Sequence, residues 1–528
     1  MVHSVASSPS QQRQYLKLRY SMHTLYRIQL LLLLLFAGTA AMAQKISYSE
    51  PEKDDYKSTE FEIIGKVAGN ILVYKTDRGD YAVSVYDGEM QLKDRVKLDF
   101  LPRKVISMDF VAYQNKVLMI YQFQRKDAVY SFCATMSPDA KFNDAPLMID
   151  STRIGLYSKE NKVYSVEVSE DKNRIMVYKI NQDKEDNNVF YTFLYDSAMA
   201  LVNNSRLSLP MQGKKQFLSN FNLTNEGDLL FNKLERTANR DYVISGTMVL
   251  KRPLVDSFET SGLQFKSQLL DEVKMKLDNS RHTALVTAFY YKQKRGNVEG
   301  MYLYKHDYTA NKPVYEKSVV FSPELKMNAR GESNTSSAFN DYFIRRIINT
   351  SNGGFLLTAE SFYTSSRYQP WNRWNYMYGS PYGGMYAPYY YSPYSPMYYN
   401  PYYWNNSQGV RYHYDNIAVL SFDEEGNMQW NNFVRKAQFD DNADLYLSYL
   451  MVNVGSELRF LYNELDRRNY LLTDVSLAPG GKVNRMPTLR NLDKGFTWMP
   501  RYGKQISGRT VVVPCIYRNY ICFAKIDF

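Results

Sequence analysis

Charged side chains are the first candidates for chemistry in this sequence, because the common nucleophile and metal motifs are absent from it. Only three of the five histidines follow residue 43, namely His282, His306 and His413, and none has the spacing of a metal ligand. The chain contains neither a G-x-S-x-G nucleophile elbow nor a G-x-x-x-x-G-K-[ST] phosphate loop. The sequence therefore predicts no catalytic residue, no metal site and no cofactor.

Carboxylates and basic side chains recur on the short β-rich runs that would lie innermost if the strands converge. These residues are Glu62, Asp109, Glu167, Lys274, Arg345, Arg346 and Arg501. In a shared channel they could pair with each other or face solvent. The cations Arg345, Arg346 and Arg501 are also candidates for binding an anionic or polar ligand. Two or three acids about 5–9 Å apart in a deep channel would favour a glycosidase.

A tyrosine-rich segment, 363–411, is the second candidate site. Its residues 368–404 hold 13 Tyr, three Trp and six Pro, and no charged side chain occurs from 374 to 410. The prolines exclude a helix or a central strand. The ligand candidates are Tyr386, Tyr389, Tyr390, Tyr391, Tyr394, Tyr398, Tyr399 and Trp404.

Three interpretations of the segment remain open: a spacer, a membrane-interface contact, or a binding loop for a glycan, a cell-wall polymer or a protein. A tyrosine ring with its hydroxyl suits sugar faces and protein surfaces alike. Because the segment has no strand period, we expect it to add little to the core. Replacing 368–408 with a short linker should then leave the melting temperature nearly unchanged.

A repeat of strand, polar turn and more polar strand organises the rest of the chain. Leu420-Ser-Phe-Asp-Glu-Glu-Gly-Asn-Met-Gln-Trp430 is the clearest instance. Similar turns fall near residues 87, 138, 197, 255, 308, 425, 480 and 527. One interval is about twice the others and contains the tyrosine-rich segment. Regular four-stranded units of this length are typical of radial β-sheet repeats.

The repeat resembles the β-propeller superfamily, without the signatures of WD40 or kelch repeats. It predicts an all-β chain of eight four-stranded blades, with seven as the alternative. The predicted units are 60–98, 104–149, 162–209, 217–266, 270–321, 342–435, 447–488 and 494–528, the sixth of which holds the tyrosine-rich segment. The last unit lacks a strand, which residues 45–48 would supply, thereby closing the ring. Two separate β domains and an outer-membrane barrel are the competing architectures.

The N-terminus has the pattern of an export signal. Arg27 precedes six leucines, 30–35, and Ala41-Met42-Ala43 forms an A-x-A cleavage site. We expect residues 1–43 to be removed, with 1–21 a possible start-site artefact, and 44–528 to form the propeller. The cleavage point has no cysteine, so the sequence does not predict a lipoprotein. No later segment is apolar enough to predict a transmembrane helix.

The predicted location is periplasmic or secreted. Removal of 1–43 would lower the net charge from +11 to +7, and the basic residues are dispersed. Nucleic acid is therefore not an expected partner. Among the three cysteines, Cys515 and Cys522 would face each other across a hairpin that turns at Arg518-Asn519, which makes them a disulfide candidate. Cys133 would remain a buried thiol.

These features lead to a functional expectation with two alternatives. We expect an exported, non-enzymatic binding or scaffold protein of the cell envelope, whose partner is an unknown protein, glycan or cell-wall polymer. The first alternative is a propeller glycosidase or lyase that uses carboxylates at the channel mouth. The second is a structural or adhesive envelope protein.

Overall fold

The computed structural model describes most of the chain after residue 44. The described residues are 45–154, 162–213, 215–237, 242–265, 267–330, 335–366, 373, 409–441, 444–466, 469–486 and 495–528. The predicted signal peptide and nearly all of the tyrosine-rich segment, including its eight candidate residues, lie outside this part. Both remain predictions.

The first four blades follow the N-terminal strand β1 (Lys45–Tyr48) along the chain as antiparallel sheets. Blade 1 contains β2 (Thr59–Val67), β3 (Asn70–Asp77), β4 (Asp80–Tyr86) and β5 (Leu92–Lys97). Blade 2 contains β6 (Val105–Ala112), β7 (Val117–Arg125), β8 (Ala128–Met136) and β9 (Leu147–Arg153). Blade 3 contains β10 (Ser165–Val168), β11 (Arg174–Gln182), β12 (Asn188–Asp196) and β13 (Leu201–Leu209). Blade 4 contains β14 (Gln216–Leu223), β15 (Leu229–Arg236), β16 (Val243–Lys251) and β17 (Phe258–Leu263).

The other four blades repeat this plan with local additions. The short strand β18 (Leu269–Leu270) joins blade 4 to blade 5, which contains β19 (Lys274–Asp278), β20 (Thr283–Tyr291), β21 (Val298–Asp307) and β22 (Lys312–Val320). Blade 6 contains β23 (Tyr342–Asn349), β24 (Phe355–Ser366), β25 (Val410–Phe422) and β26 (Met428–Val434), with β27 (Gln438–Asp441) added beside β25. Blade 7 contains β28 (Tyr449–Asn453), β29 (Leu458–Asp466), β30 (Asn469–Leu477) and β31 (Val483–Arg485). Blade 8 contains β32 (Thr497–Trp498), β33 (Lys504–Ser507), β34 (Thr510–Tyr517), β35 (Tyr520–Asp527) and the N-terminal strand β1.

The all-β propeller is confirmed, and the described strands form eight four-stranded units. Strand β1 pairs with β35, with Ile46 opposite Ile526, so the N-terminus completes the last blade as predicted. First strands of neighbouring blades, such as β2 and β6, contact one another, and β33 of the last blade contacts β2 of the first. The first strands therefore surround a central channel, and the ring is closed.

The hydrophobic core is divided among the seams between blades. Buried apolar side chains of the described residues form one major cluster at each of the eight seams, including the closing seam between blade 8 and blade 1. Strand β7 shows the cause: Val117, Leu118, Met119, Ile120 and Tyr121 are all buried, because both faces of a central strand pack against neighbours. The fourth strands, such as β5, are mostly exposed.

In the described ranges, helical structure occurs in the connections between strands. The helix α1 (Pro323–Arg330) follows blade 5 and begins at Ser322, whose hydroxyl accepts a hydrogen bond from the Leu325 amide at 3.1 Å. One short 3₁₀ helix, Thr335–Ser337, follows it, and another, Pro500–Tyr502, interrupts the innermost edge of blade 8. No helix in the described part of the chain is long and apolar enough to cross a bilayer.

Two sequence predictions concern blade 8. Cys515 lies opposite Cys522 in the β34–β35 register, as expected. Both are buried free thiols, as is Cys133, and the disulfide stays a prediction. The placement of Arg501 on an innermost strand was wrong, because this residue belongs to the 3₁₀ helix that Pro500 begins.

Candidate active site

Three carboxyl groups lie on the first strands of three consecutive blades. Glu62 lies on β2, Asp109 on β6 and Glu167 on β10. Asp109 interacts electrostatically with both glutamates and raises the pKa of each. It is therefore the central member of the group, and its side chain is partly open, with 23% exposed.

Glu62 is a buried carboxyl group that is protonated at neutral pH. Only 4% of the residue is exposed, and its Oε1 atom has no hydrogen-bond partner among the described residues. Burial raises the pKa of Glu62 to about 8, against the opposing field of Lys504 and with a further contribution from Asp109. The group is thus suited to donate a proton.

Glu167 occupies the equivalent environment one blade beyond Asp109. It is 2% exposed, and its Oε2 atom has no partner within the described part of the chain. Burial raises the pKa of Glu167 well above its usual value, opposed by Lys162 and assisted by Asp109. Two buried glutamates with raised pKa values therefore flank one more accessible aspartate.

Lys162 supplies the positive charge nearest to Asp109. Its Nζ atom lies 4.0 Å from Oδ2 of Asp109. Gln122 on β7 fixes the chain beside this lysine: its Oε1 accepts hydrogen bonds from the Val163 and Tyr164 amides at 2.8 and 3.0 Å, and its Nε2 donates to the Tyr164 carbonyl at 2.8 Å. The approach to β10 is therefore held against blade 2.

Lys504 joins the site from the opposite end of the chain. It begins β33, and its Nζ donates to the Ile64 carbonyl of β2 at 3.1 Å. A bulge between Ile63 and Gly65 brings that carbonyl into position, and Gly65 has a φ of +144°, which only glycine adopts readily. Burial lowers the pKa of Lys504, while Glu62 opposes this change. Closure of the ring thus places an amine beside Glu62.

This arrangement can perform acid–base chemistry. Buried carboxylic acids that stay neutral at pH 7 can donate protons, while a carboxylate in a more open environment can accept one. No group of three or more potential ligands among the described residues could hold a metal ion. The channel-lining acids of the sequence analysis are thus brought together, but sequence reasoning missed Lys162, Lys504 and Gln122.

The predicted ligand-binding arginines lie away from these acids. Arg345 and Arg346 are on β23, where the Arg345 guanidinium lies 3.1 Å from Glu360 and Arg346 is exposed. Arg501 forms a two-pronged ion pair with Asp444, at 2.6 and 3.0 Å. Their role in ligand binding remains a prediction.

One described residue of the tyrosine-rich segment is built into the body. Arg373 is 7% exposed, and its Nε lies 3.0 Å from Oδ2 of the fully buried Asp271. Its Nη1 donates to the Asn340 carbonyl at 3.0 Å, and its guanidinium lies 3.9 Å from the Phe343 ring centre. The expectation that 368–408 can be replaced without loss of stability therefore needs correction, because that range contains a buried anchor.

Comparison with known proteins gives structural neighbours without a family. No protein-family model matches the chain, and no curated protein matches it. It is similar to prolyl oligopeptidase B from Galerina marginata, with a TM-score of 0.40, 6% identity and coverage of 89% of this chain and 55% of that one. It is also similar to an ulvan lyase, with a TM-score of 0.35, 8% identity and coverage of 78% and 90%.

A third neighbour is an apocarotenoid oxygenase of Synechocystis, with a TM-score of 0.33, 8% identity and coverage of 92% of this chain and 94% of that one. All three neighbours are enzymes. These enzymes stand against the expectation of a non-enzymatic binding or scaffold protein, which is therefore corrected, but at TM-scores of 0.33 to 0.40 they carry no argument for a particular activity of this chain. At these identities the likeness concerns the fold, and no substrate or catalytic residue is transferred.

Proposed function

We propose that the protein is an enzyme that cleaves glycosidic bonds with the carboxyl groups of Glu62, Asp109 and Glu167. The observation that carries the proposal is the grouping of two buried glutamates, whose pKa values burial raises, with a partly exposed aspartate between them. Hydrolysis of a glycosidic bond needs an acid to protonate the leaving oxygen and a carboxylate to activate water or attack the sugar. The raised pKa values of the two glutamates suit them to the role of the acid.

The roles follow from exposure and charge. Asp109 is the most exposed of the three carboxyl groups, and the ammonium of Lys162 lies 4.0 Å from it. It acts as the base or nucleophile. Glu62, with a pKa of about 8, is the first candidate for the general acid. Glu167 is the second.

Lytic cleavage of a uronate-containing chain is the second candidate reaction, and the nearby lysines favour it. The Nζ atom of Lys162 lies 4.0 Å from Oδ2 of Asp109, and the positive charge of Lys504 acts to lower the pKa of Glu62. An elimination requires a cation near the substrate carboxylate together with a base and an acid. Hydrolysis adds water across the bond, whereas elimination leaves a carbon–carbon double bond in the new terminal sugar.

The test is a panel of neutral and uronate-containing polysaccharides, assayed for new reducing ends and for the ultraviolet absorbance of unsaturated sugars. We expect Asp109→Asn and Glu62→Gln each to lower kcat by about 10²–10⁴-fold. Asp94→Asn, on the exposed strand β5, is the matched control and should keep full activity. Absence of cleavage of every polysaccharide by the unmodified protein, or full activity of Asp109→Asn, would refute the proposal.

The pH profile gives an independent check. A general acid must be protonated, so kcat/KM should fall as the pH rises through about 8, the pKa of Glu62 in the free protein. In Glu62→Gln the remaining activity should lose this alkaline limb. If the activity of Glu62→Gln still falls at alkaline pH as in the parent, another group is the general acid. Glu167→Gln would then test Glu167 in the same way.

A further inference from the structure

Basic side chains on the first strands of blades 5 and 6 form a second charged group in the ring. The Lys274 side chain on β19 is 41% exposed, and Arg346 on β23 is exposed. Arg346 forms no ion pair with any residue in the described part of the chain. Arg345, its neighbour, is instead held by Glu360 at 3.1 Å. Arg346 is thus an exposed cation without an ion pair among the described residues, and Lys274 is a partly exposed cation that Glu272 holds at 3.2 Å.

Glu272 organises this basic group. Its Oε1 lies 3.2 Å from Nζ of Lys274, and its Oε2 accepts a hydrogen bond from the Ile344 amide at 2.7 Å. One carboxylate therefore fixes the lysine of blade 5 and the backbone of blade 6. A bulge at Arg345 follows immediately, and the next residue, Arg346, pairs with Thr358 of β24. The two cations are consequently placed by the same junction.

The ring positions these cations across the channel from the acids. In a closed ring of eight blades, blade 5 faces blade 1 and blade 6 faces blade 2. Glu62 belongs to blade 1 and Asp109 to blade 2, so the acidic and basic first strands lie on opposite sides of the axis. A polymer lying across the channel would meet both.

We propose that Lys274 and Arg346 form a subsite for the carboxylate or sulfate groups of an acidic polysaccharide. This inference rests on the proposed glycosidic cleavage at Asp109 and names its substrate class. Ammonium and guanidinium groups make charge-assisted hydrogen bonds to such anions, and the guanidinium can bind two oxygens at once. A neutral polysaccharide offers neither group an ionic partner.

Binding without turnover tests the subsite. The full-length Asp109→Asn protein is titrated by calorimetry with oligogalacturonate, a sulfated oligosaccharide and a neutral oligosaccharide of equal length, at low and high salt. We expect at least one anionic ligand to bind more tightly than the neutral one, and to weaken with salt. Adding Lys274→Met and Arg346→Met should weaken anionic binding by at least about tenfold.

Control variants distinguish a specific subsite from a general effect of charge and from misfolding. Lys97→Met on exposed β5 removes a positive charge elsewhere and should leave binding unchanged. Lys274→Arg with Arg346→Lys keeps both charges and should restore most of the affinity, which also guards against misfolding of the methionine variant. Equal binding of neutral and anionic ligands, or unchanged anionic binding in the folded double variant, would overturn the subsite. Anionic binding to a protein that cleaves nothing would instead refute the proposed function alone.

Discussion

Two buried charged groups, both formed around blade 1, use the same residue types with opposite results. In the first, the closing latch, Glu52 and Asp54 from the segment between β1 and β2 surround Lys75 of β3. Its ammonium lies 2.6 Å from Glu52 and 2.8 Å from Asp54. Arg95 of β5 adds contacts at 3.0 and 2.9 Å to the same two carboxylates. The second is the channel group, in which Glu62 has a carboxylate oxygen without a partner among the described residues.

The difference lies in which force decides ionisation. Burial acts to raise the pKa of Asp54, but Lys75 and Arg95 outweigh it and hold that pKa below its usual value. Burial acts to raise the pKa of Glu62 as well, and the single opposing amine of Lys504 does not prevent the rise to about 8. The same functional group, a buried carboxyl group, is thus ionised and ion-paired at Asp54, whereas at Glu62 it has a raised pKa and is suited to donate a proton.

Removal of Lys75 should have the largest effect on stability. Lys75→Met leaves Glu52 and Asp54 in the closing seam with only Arg95 to pair, and an uncompensated buried charge costs about 3–5 kcal/mol. Urea denaturation should show this loss in the free energy of unfolding. Lys97→Met, on the exposed fourth strand of the same blade, is the control and should change little. A Lys75→Met protein as stable as the control would show that the latch does not hold the ring.

Arg373→Ala tests the same principle at blades 5 and 6. It removes the guanidinium from Asp271, which keeps hydrogen bonds from the Tyr291 hydroxyl at 2.9 Å and from the Glu272 amide at 2.5 Å. Because one buried carboxyl group is affected instead of two, and two hydrogen bonds to it remain, we expect a smaller loss, about 2–4 kcal/mol. A variant in which a short linker replaces 374–408 spares Arg373 and should retain the original stability. Equal stability of Arg373→Ala and the parent would contradict the anchor.

Glu62→Gln should change how the free energy of unfolding depends on pH. A group whose pKa is higher in the folded protein favours folding below its unfolded pKa, and this advantage is lost as the pH rises through the folded value. For Glu62 the window runs from about 4.5 to about 8. Over it, the parent should lose at most about 1.4 kcal/mol per pH unit relative to the variant.

Asp54 should respond in the opposite direction. Its pKa is lowered in the folded protein, so its stabilisation exists above the unfolded pKa and disappears as the pH falls through the folded one. Unfolding of Asp54→Asn and Glu62→Gln measured across the same pH series would therefore diverge from the parent at opposite ends. Parallel profiles for the two variants would remove the distinction between the groups.

The sequence predicted those parts of the molecule that repeat. Polar turns at regular spacing located the blades, because each hairpin needs a turn whatever it packs against. The last predicted unit had room for only three strands, and this identified β1 as the fourth. The innermost positions of Glu62, Asp109 and Glu167 followed from strand order alone.

The remaining parts depend on contacts between distant segments. Lys504 reaches Ile64 only because the ring closes, and no local pattern connects these two residues. Lys162 meets Asp109 because Gln122, on another strand, bonds the intervening backbone. The prediction placed Arg501 on a strand, but Pro500 beside it argued against this. Proline disfavours an interior strand position and suits the first turn of a helix.

An exposed ion pair across the closing seam should give the smallest effect. Lys45 of β1 lies 2.8 Å from Glu89 in the turn between β4 and β5, and both side chains are more than half exposed. Water already solvates these charges, so the pair has little net value despite a distance like those of Lys75. Lys45→Met should leave the urea midpoint within the scatter of replicate measurements, at low and high salt. A loss comparable to that of Lys75→Met would mean that pairing across the closing seam, rather than burial of the paired charges, holds the ring together.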